Sequence, residues 1–200
     1  MIGGGAYSYP KDFLSNHPDA EMDVVEIDAG LTELAKKFFS LSDSPQLKIF
    51  HQDGRVFLKN TENKYDVIFI DAFASSVPFH LTTKEFVDSV FEHLNDGGVV
   101  IMNIIASVEG ENGKFLRAEY STYKLFSDFV RILPVQRPEN GNAVQNLILV
   151  ALKPDASTGT VQAVRFNEYL GYAWTGDIKT DVPALTDDFA PVDQYLVKVF

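Results

Sequence analysis

Short apolar runs alternate with longer amphipathic segments through roughly the first three quarters of the chain. The apolar runs have the length of strands and cover residues 23–27, 47–51, 66–71, 98–104, 130–136 and 145–152. Apolar side chains recur at helical spacing over 31–41, 82–94 and 116–129, and a short helix is predicted over 55–58. This alternation is typical of βα units around a parallel sheet. The pattern therefore predicts an α/β fold.

The end of the chain departs from this alternation. Only the turn-forming residues 137–142 separate the last two runs, so we expect these two strands to pair antiparallel. After residue 154 the pattern weakens into a linker over 155–159 and a short helical piece over 161–170. We predict a ligand-binding domain over 1–154 and a C-terminal extension over 155–200 packed on it. Within the domain, Thr82 and Glu85 predict a capping box at the start of the helix over 82–94.

A glycine-rich turn stands almost at the first residue of the chain. Gly3, Gly4 and Gly5, with Ser8 after them, form a variant of the G-x-G-x-x-G turn, whose missing side chains let the backbone approach a ligand closely. Only Met1 and Ile2 precede it, so we expect either a very short first strand or sequence upstream of Met1.

Two acids follow the turn at about the distance, roughly 20 residues, that a nucleotide-binding βα unit requires. Glu26 and Asp28 flank Ile27 at the end of the first apolar run. In a strand the two carboxylates would point the same way, so one could bind ribose hydroxyls while the other caps the next helix. The alternative is that both are only polar residues at a strand end. Together with the glycines, they favour a nucleoside site.

The next two strand ends carry further candidates. Asp53, followed by Gly54, can accept a hydrogen bond from the exocyclic amine of a base, cap the following helix, or do both. Asp71 ends the run over 66–71, where ligands bind in open α/β sheets, and is the best catalytic or substrate-positioning candidate. His80 could act as a base near neutral pH, although a loop histidine with satisfied hydrogen bonds is the favoured interpretation. The histidines show no metal-ligand spacing, so we predict no metal site.

Composition narrows the function classes. The 200 residues, 46% of them hydrophobic, are enough for one domain with a full core. A net charge of -11 argues against nucleic acid as a partner and suits a cationic small molecule, although acidic surfaces more often serve solubility. Cysteine is absent, which excludes disulfides and thiolate metal sites. No apolar run has the length of a membrane span and no secretory signal is recognisable, so we expect no membrane association and a cytoplasmic location.

Four motifs together resemble the spermidine synthase family of polyamine aminopropyltransferases. They are Gly3-Gly4-Gly5, Val25-Glu26-Ile27-Asp28, Asp53-Gly54-Arg55-Val56-Phe57 and Tyr65-Asp66-Val67-Ile68-Phe69-Ile70-Asp71. The segments over 77–86 and 186–193 are also similar to segments of this family.

The resemblance implies a Rossmann-like class I S-adenosylmethionine-dependent methyltransferase fold. It also implies binding of S-adenosylmethionine, its decarboxylated form or methylthioadenosine. Glu26 would then hold the ribose hydroxyls and Asp53 the adenine amine, with the glycine turn beside the thioether side chain. The resemblance further implies a homodimer.

Two departures from the family pattern concern the acceptor. Ala6 stands where an acid normally follows the glycines, and Ala74 stands where the catalytic loop normally carries its second Asp. An amine acceptor is mostly protonated at neutral pH, with a pKa near the value of about 10.4 for lysine, and needs a carboxylate to hold it and take its proton. Asp71 remains for this role.

Three functions stay open from the sequence. The first is a transferase that moves an aminopropyl or methyl group from an adenosyl sulfonium to an unidentified acceptor, with an amine as one candidate. The second is a catalytically silent nucleoside-binding or dimerisation module. An NAD-dependent oxidoreductase is a weaker third, because Ser8 replaces the last glycine of the dinucleotide fingerprint.

Overall fold

The computed structural model describes residues 1–72, 77–155, 171–197 and 199, which form a six-stranded sheet flanked by helices. The strands are β1 (Met22–Val25), β2 (Leu47–Phe50), β3 (Tyr65–Ile70), β4 (Leu94–Ala106), β5 (Val130–Pro134) and β6 (Gln145–Leu152). The helices are α1 (Ser8–Asn16), α2 (Ala29–Phe38), α3 (Gly54–Asn60), α4 (Lys84–Glu92), α5 (Lys114–Tyr123) and α6 (Val192–Leu196). Short 3-10 turns occupy Phe79–Leu81 and Glu111–Gly113.

Ile2 joins the two parts of the sheet. It bridges Val25 of β1 on one side and Ile70 of β3 on the other, both in parallel orientation. The strand order is therefore β2-β1-Ile2-β3-β4-β6-β5, in which β1 pairs parallel with β2 and β3 with β4. β6 pairs antiparallel with both β4 and β5. The predicted α/β fold with an antiparallel last pair is confirmed, and the first strand is reduced to a single bridging residue.

The core lies on both faces of this sheet, because successive strand residues point to opposite sides. Val25 belongs to the main cluster, which includes apolar side chains of α3, α4, α5 and α6. Its neighbour Val24 belongs to a smaller cluster with Tyr7 and Ala35. In the main cluster, one face of the sheet packs against α3 to α6. In the smaller cluster, the other face packs against α2.

The predicted helices are present with different limits. The prediction over 116–129 is too long, because α5 ends at Tyr123; beyond it the Ser127 hydroxyl bonds to the carbonyl oxygens of Phe129 and Leu152. The capping box is also wrong. Thr83, not Thr82, caps α4 and accepts from the Phe86 N–H at 3.4 Å. The piece predicted over 161–170 lies outside the described residues.

Two helices did not follow from the pattern. α1 begins after Tyr7, which is left-handed with φ 55° and makes no side-chain cap, so the usual start signal is missing. α6 is a short helix near the end of the chain.

The apolar stripe predicted on α2 is largely exposed. This helix buries Thr32 and Ala35, whereas Leu34 is 48% and Phe38 62% exposed.

The segment 171–197 is tied to the sheet and its helices by specific bonds. The backbone N–H of Trp174 donates to the Ile132 carbonyl of β5 at 2.7 Å. Arg117 of α5 forms a two-bond ion pair with Asp181, at 2.6 and 3.2 Å. The Leu185 N–H donates to the Thr122 hydroxyl at 2.9 Å. The Lys84 N–H donates to the Leu185 carbonyl at 2.8 Å and the Thr83 hydroxyl donates to Asp187 Oδ1 at 2.7 Å, which places this part of the segment beside the first turn of α4.

Candidate functional site

Three predicted carboxylates lie at one edge of the sheet. Glu26 follows β1, Asp53 follows β2 and Asp71 follows β3, and these strands are parallel. From Ile2 the chain forms β1 and then β2 on one side of this residue and afterwards crosses to β3 on its other side, so this edge is the topological switch point at which open α/β sheets bind ligands. The fold therefore brings the predicted site residues to one place.

The glycine turn is packed directly against Asp71. Ile2 accepts from the Asp71 N–H at 2.9 Å, and the next residue, Gly3, has φ +91°. A Cβ on Gly3 would lie 2.3 Å from the Asp71 carbonyl oxygen. Both the backbone angle and the close approach require glycine at this position. Gly4 is equally confined, because its Cβ would meet the Tyr7 ring at 2.6 Å.

Glu26 holds the turn from the other side. It is only 5% exposed; its Oε2 accepts from Gly4 N–H at 2.8 Å and Gly5 N–H at 3.2 Å, and its Oε1 accepts from Asp28 N–H at 2.9 Å. A carboxylate has about four lone-pair sites, so one remains for a ligand hydroxyl. The carboxylate that was predicted to hold ribose also shapes the glycine turn.

Asp28 has a different role from Glu26. The strand β1 ends at Val25, so the strand alternation that predicted a shared direction does not reach these residues, and that prediction is wrong. Asp28 is exposed and caps α2, accepting from the Gly30 N–H at 2.8 Å. The predicted helix cap is therefore Asp28, and the ligand role predicted for the other acid stays a prediction for Glu26. Ile27 between them is 72% exposed and offers an apolar surface at the mouth of the site.

Asp53 caps α3 with one oxygen and meets His80 with the other. Its Oδ1 accepts from the N–H groups of Arg55 at 2.9 Å and Val56 at 3.0 Å. Its Oδ2 lies 2.8 Å from His80 Nε2, which must be the donor because an ionised carboxylate only accepts. Burial opposes ionisation, but the bonds from Val56 and His80 outweigh it and lower the pKa of Asp53. Gly54 is the first residue of α3, where a Cβ would lie 2.6 Å from the Ile2 side chain.

Asp71 is held by a residue that the sequence pattern did not predict. Asn103 of β4 donates from Nδ2 to Asp71 Oδ1 at 3.0 Å. The Asn103 Oδ1 is buried and has no hydrogen-bond partner among the described residues. Buried amide oxygens are normally paired, so this free acceptor beside Asp71 is available to a donor on a ligand. A lone polar residue in the apolar run over 98–104 was the signal that could have indicated it.

A second unpredicted contact comes from the C-terminal segment. Arg55 donates to Asp187 through both terminal nitrogens, at 2.7 and 2.6 Å. This guanidinium lowers the pKa of Asp187 to about 2, although the carboxylate is mostly solvated. Residue 187 is far from Arg55 in sequence, so only the fold reveals the pair.

Other features do not overlap this edge. A groove of about 550 Å³ opens between the beginnings of β1 and β3, lined by Tyr9, Asp23 and Tyr65 among others, and does not reach Glu26, Asp53 or Asp71.

Within the described ranges, no group of three or more acidic or histidine side chains could hold a metal ion. In the same part of the chain, no helix is both long and apolar enough to cross a bilayer. Ala74, the second acceptor-side departure, lies outside the described residues.

The family model of the spermine/spermidine synthase domain matches residues 1–154. The chain belongs to this family. Among curated relatives, a polyamine aminopropyltransferase of Vibrio vulnificus is 28% identical over 209 residues, which cover 96% of this chain and 68% of that protein. A probable polyamine aminopropyl transferase of Bifidobacterium longum is 34% identical over 113 residues, but these are 56% of this chain and 25% of that protein.

Solved structures confirm the fold. A probable spermidine synthase from Corynebacterium glutamicum superimposes with a TM-score of 0.73 at 25% identity, over 93% of this chain and 70% of that one. Human methyltransferase-like protein 13 in complex with SAH superimposes with a TM-score of 0.63 at 22% identity, over 80% of this chain and 73% of that one. The predicted class I methyltransferase fold is therefore confirmed.

Proposed function

We propose that this member of the family binds an adenosyl thioether at the Glu26 edge and transfers an aminopropyl group from decarboxylated S-adenosylmethionine to a small amine. The observation that carries the proposal is the match of the family domain to residues 1–154, which contain all three carboxylates of the edge. The relatives named polyamine aminopropyltransferase support the same reaction class.

In this proposal Glu26 binds the ribose of the nucleoside and Asp53 binds its base. Glu26 offers its remaining lone pair to the ribose hydroxyls, close to the N–H groups of Gly4 and Gly5. Asp53 offers Oδ2 to the exocyclic amine of adenine, because Oδ1 is engaged by α3. Ile27 provides an exposed apolar contact for the base.

Asp71 is the proposed catalytic residue. In the reaction the amine nitrogen forms a bond to the carbon beside the sulfonium, the carbon–sulfur bond breaks, and its electron pair leaves with methylthioadenosine. The attacking nitrogen loses a proton, and Asp71 is placed to accept it. Asn103 keeps Oδ1 of Asp71 in position and presents its own free Oδ1 to the same amine. Alignment of the two substrates supplies a further part of the rate, as in other bimolecular displacements.

Calorimetry with methylthioadenosine, followed by mass spectrometry of reactions with decarboxylated S-adenosylmethionine and a panel of amines, tests this proposal. We expect binding of the thioether and release of methylthioadenosine that depends on an added amine. Absence of binding by any adenosyl thioether would refute the nucleoside site itself.

A silent nucleoside-binding module is the second candidate, and Ala6 and Ala74 favour it because neither can hold an ammonium group. This candidate predicts tight methylthioadenosine binding with no transfer from either sulfonium donor. Transfer from S-adenosylmethionine, rather than its decarboxylated form, would instead indicate methyl transfer.

A further inference from the structure

A continuous set of polar contacts leads from Asp53 to the C-terminal segment. His80 Nε2 donates to Asp53 Oδ2 at 2.8 Å, and the His80 carbonyl accepts from Arg55 Nη1 at 3.3 Å. The Arg55 guanidinium is then fixed by both oxygens of Asp187. The links of Asp53 to His80 and of Arg55 to Asp187 join side chains, whereas Arg55 reaches His80 through the backbone carbonyl.

Asp187 is itself anchored on α4. Its Oδ1 accepts from the Thr83 hydroxyl at 2.7 Å, and its backbone N–H donates to Glu85 Oε2 at 3.0 Å. Thr83 is the N-cap of α4, so the anchor is part of a regular helix start. A planar guanidinium held by a two-bond carboxylate pair has one orientation, which a lysine could not reproduce.

We infer that Asp187, Arg55 and His80 are positioning residues that orient Asp53 and thereby set the selectivity of the site for a 6-aminopurine. The inference rests on the proposed function, in which Asp53 receives the adenine amine. It adds the C-terminal segment to a site that the parallel strands alone would define.

The geometry of Asp53 explains why such support is needed. Oδ1 is committed to α3, so only Oδ2 can accept from a ligand. An exposed carboxylate oxygen can rotate or bind water, whereas the His80 N–H fixes one lone pair and leaves the other in a defined direction. Removal of any link releases Oδ2, and the ligand then gains less from its amine.

Two thioether ligands separate positioning from general stability. Methylthioadenosine carries the 6-amino group, and its analogue with unsubstituted purine in place of adenine, 5′-deoxy-5′-methylthionebularine, lacks it. The ratio of their dissociation constants, measured by calorimetry, reports the bond to Asp53. Loss of one hydrogen bond to a charged group changes affinity by about tenfold or more, and we expect a ratio of this size in the unmodified protein.

Asp187→Asn should reduce this ratio by about fivefold, because it removes the charge that orients Arg55. Asp188→Asn, at the exposed neighbouring position, is the matched control and should leave the ratio unchanged. His80→Ala should reduce the ratio as Asp187→Asn does, whereas His80→Gln, which keeps an N–H donor of similar reach, should retain most of it. If Asp187→Asn does not fold, Arg55→Lys tests the same link.

Equal weakening of both ligands in Asp187→Asn and His80→Ala, with an unchanged ratio, would overturn the inference and leave the nucleoside site intact. Failure of the unmodified protein to bind either ligand would overturn the proposed function, and the inference with it. Whether the unmodified protein binds methylthioadenosine distinguishes these two results.

Discussion

Glu119 is a buried acid with no hydrogen-bond partner in the described part of the chain, and its ionisation should limit the stability of this protein. It lies on α5 with 0% exposure, and neither carboxylate oxygen has a hydrogen-bond partner among the described residues. Tyr123, one helical turn later, has an equally buried hydroxyl that also lacks a partner within the described ranges. Burial raises the pKa of Glu119 well above its usual value, so the folded state favours the neutral acid.

The sign of the pH dependence follows from this shift. An acid whose pKa is raised on folding leaves stability intact below the unfolded pKa of about 4.3, and stability then falls as pH rises. The loss approaches about 1.4 kcal/mol per pH unit until the pH reaches the folded-state pKa. Glu119→Gln keeps the size and polarity of the side chain and removes its titration. The free energy of unfolding of this variant relative to the unmodified protein should therefore rise with pH.

Urea unfolding followed by circular dichroism at pH 5, 6, 7 and 8 measures this difference. Glu119→Leu should also be more stable than the unmodified protein at pH 8, by about 2 kcal/mol, because it removes an unpaired polar group as well. Glu33→Gln, at an exposed position of α2, is the control and should show no pH-dependent difference. A constant free-energy difference between Glu119→Gln and the unmodified protein across this range would refute the reasoning.

Three further predictions concern the glycine turn, the proposed catalytic residue Asp71 with its partner Asn103, and the formation of a homodimer. Gly3→Ala should lower the free energy of unfolding, measured in urea, by more than about 2 kcal/mol, because the new side chain would have a positive φ and would clash with the Asp71 carbonyl. Gly5→Ala should lower it by about 1 kcal/mol, because Gly5 has φ +51° but open space around it. Asp71→Asn should lower the turnover number by about 10²-fold or more while methylthioadenosine affinity, measured by calorimetry, changes little, and Asn103→Leu should lower turnover by a smaller factor. We expect a homodimer in light scattering, with Phe38→Asp on the exposed face of α2 shifting the mass toward the monomer; a monomeric unmodified protein would contradict this expectation.

Most of the sheet, and the meeting of Glu26, Asp53 and Asp71 at one edge of it, could be predicted from the sequence because both depend on local patterns. Apolar runs of strand length indicated β1 to β6, and the acids at their ends fell together because parallel strands end at one edge. The limits of α5 and the start of α4 could not be read with the same accuracy. The Thr83 hydroxyl caps the start of α4, and beyond the end of α5 the Ser127 hydroxyl bonds to the carbonyls of Phe129 and Leu152, contacts that helical periodicity does not report.

Residues whose role depends on a distant partner could not be predicted. Arg55 reads as an ordinary helical arginine until the fold brings Asp187 to it, 132 residues away. Glu119 reads as a polar position of an amphipathic helix, yet the segment 171–197 and the sheet together bury α5 on several sides. The periodicity of apolar residues identifies the face of a helix that packs on the core, but it does not show whether other elements also cover the polar face.

Glu26 and Asp53 show why the predicted roles and the observed contacts differ. Each is already bonded within the protein: Glu26 to three backbone N–H groups, Asp53 to two N–H groups and His80. A carboxylate used both to hold a turn and to bind a ligand must stay oriented without the ligand, which those N–H groups ensure. Ligand binding then requires only the lone pairs that are left, so affinity should depend on the residues that fix these oxygens as much as on the oxygens themselves.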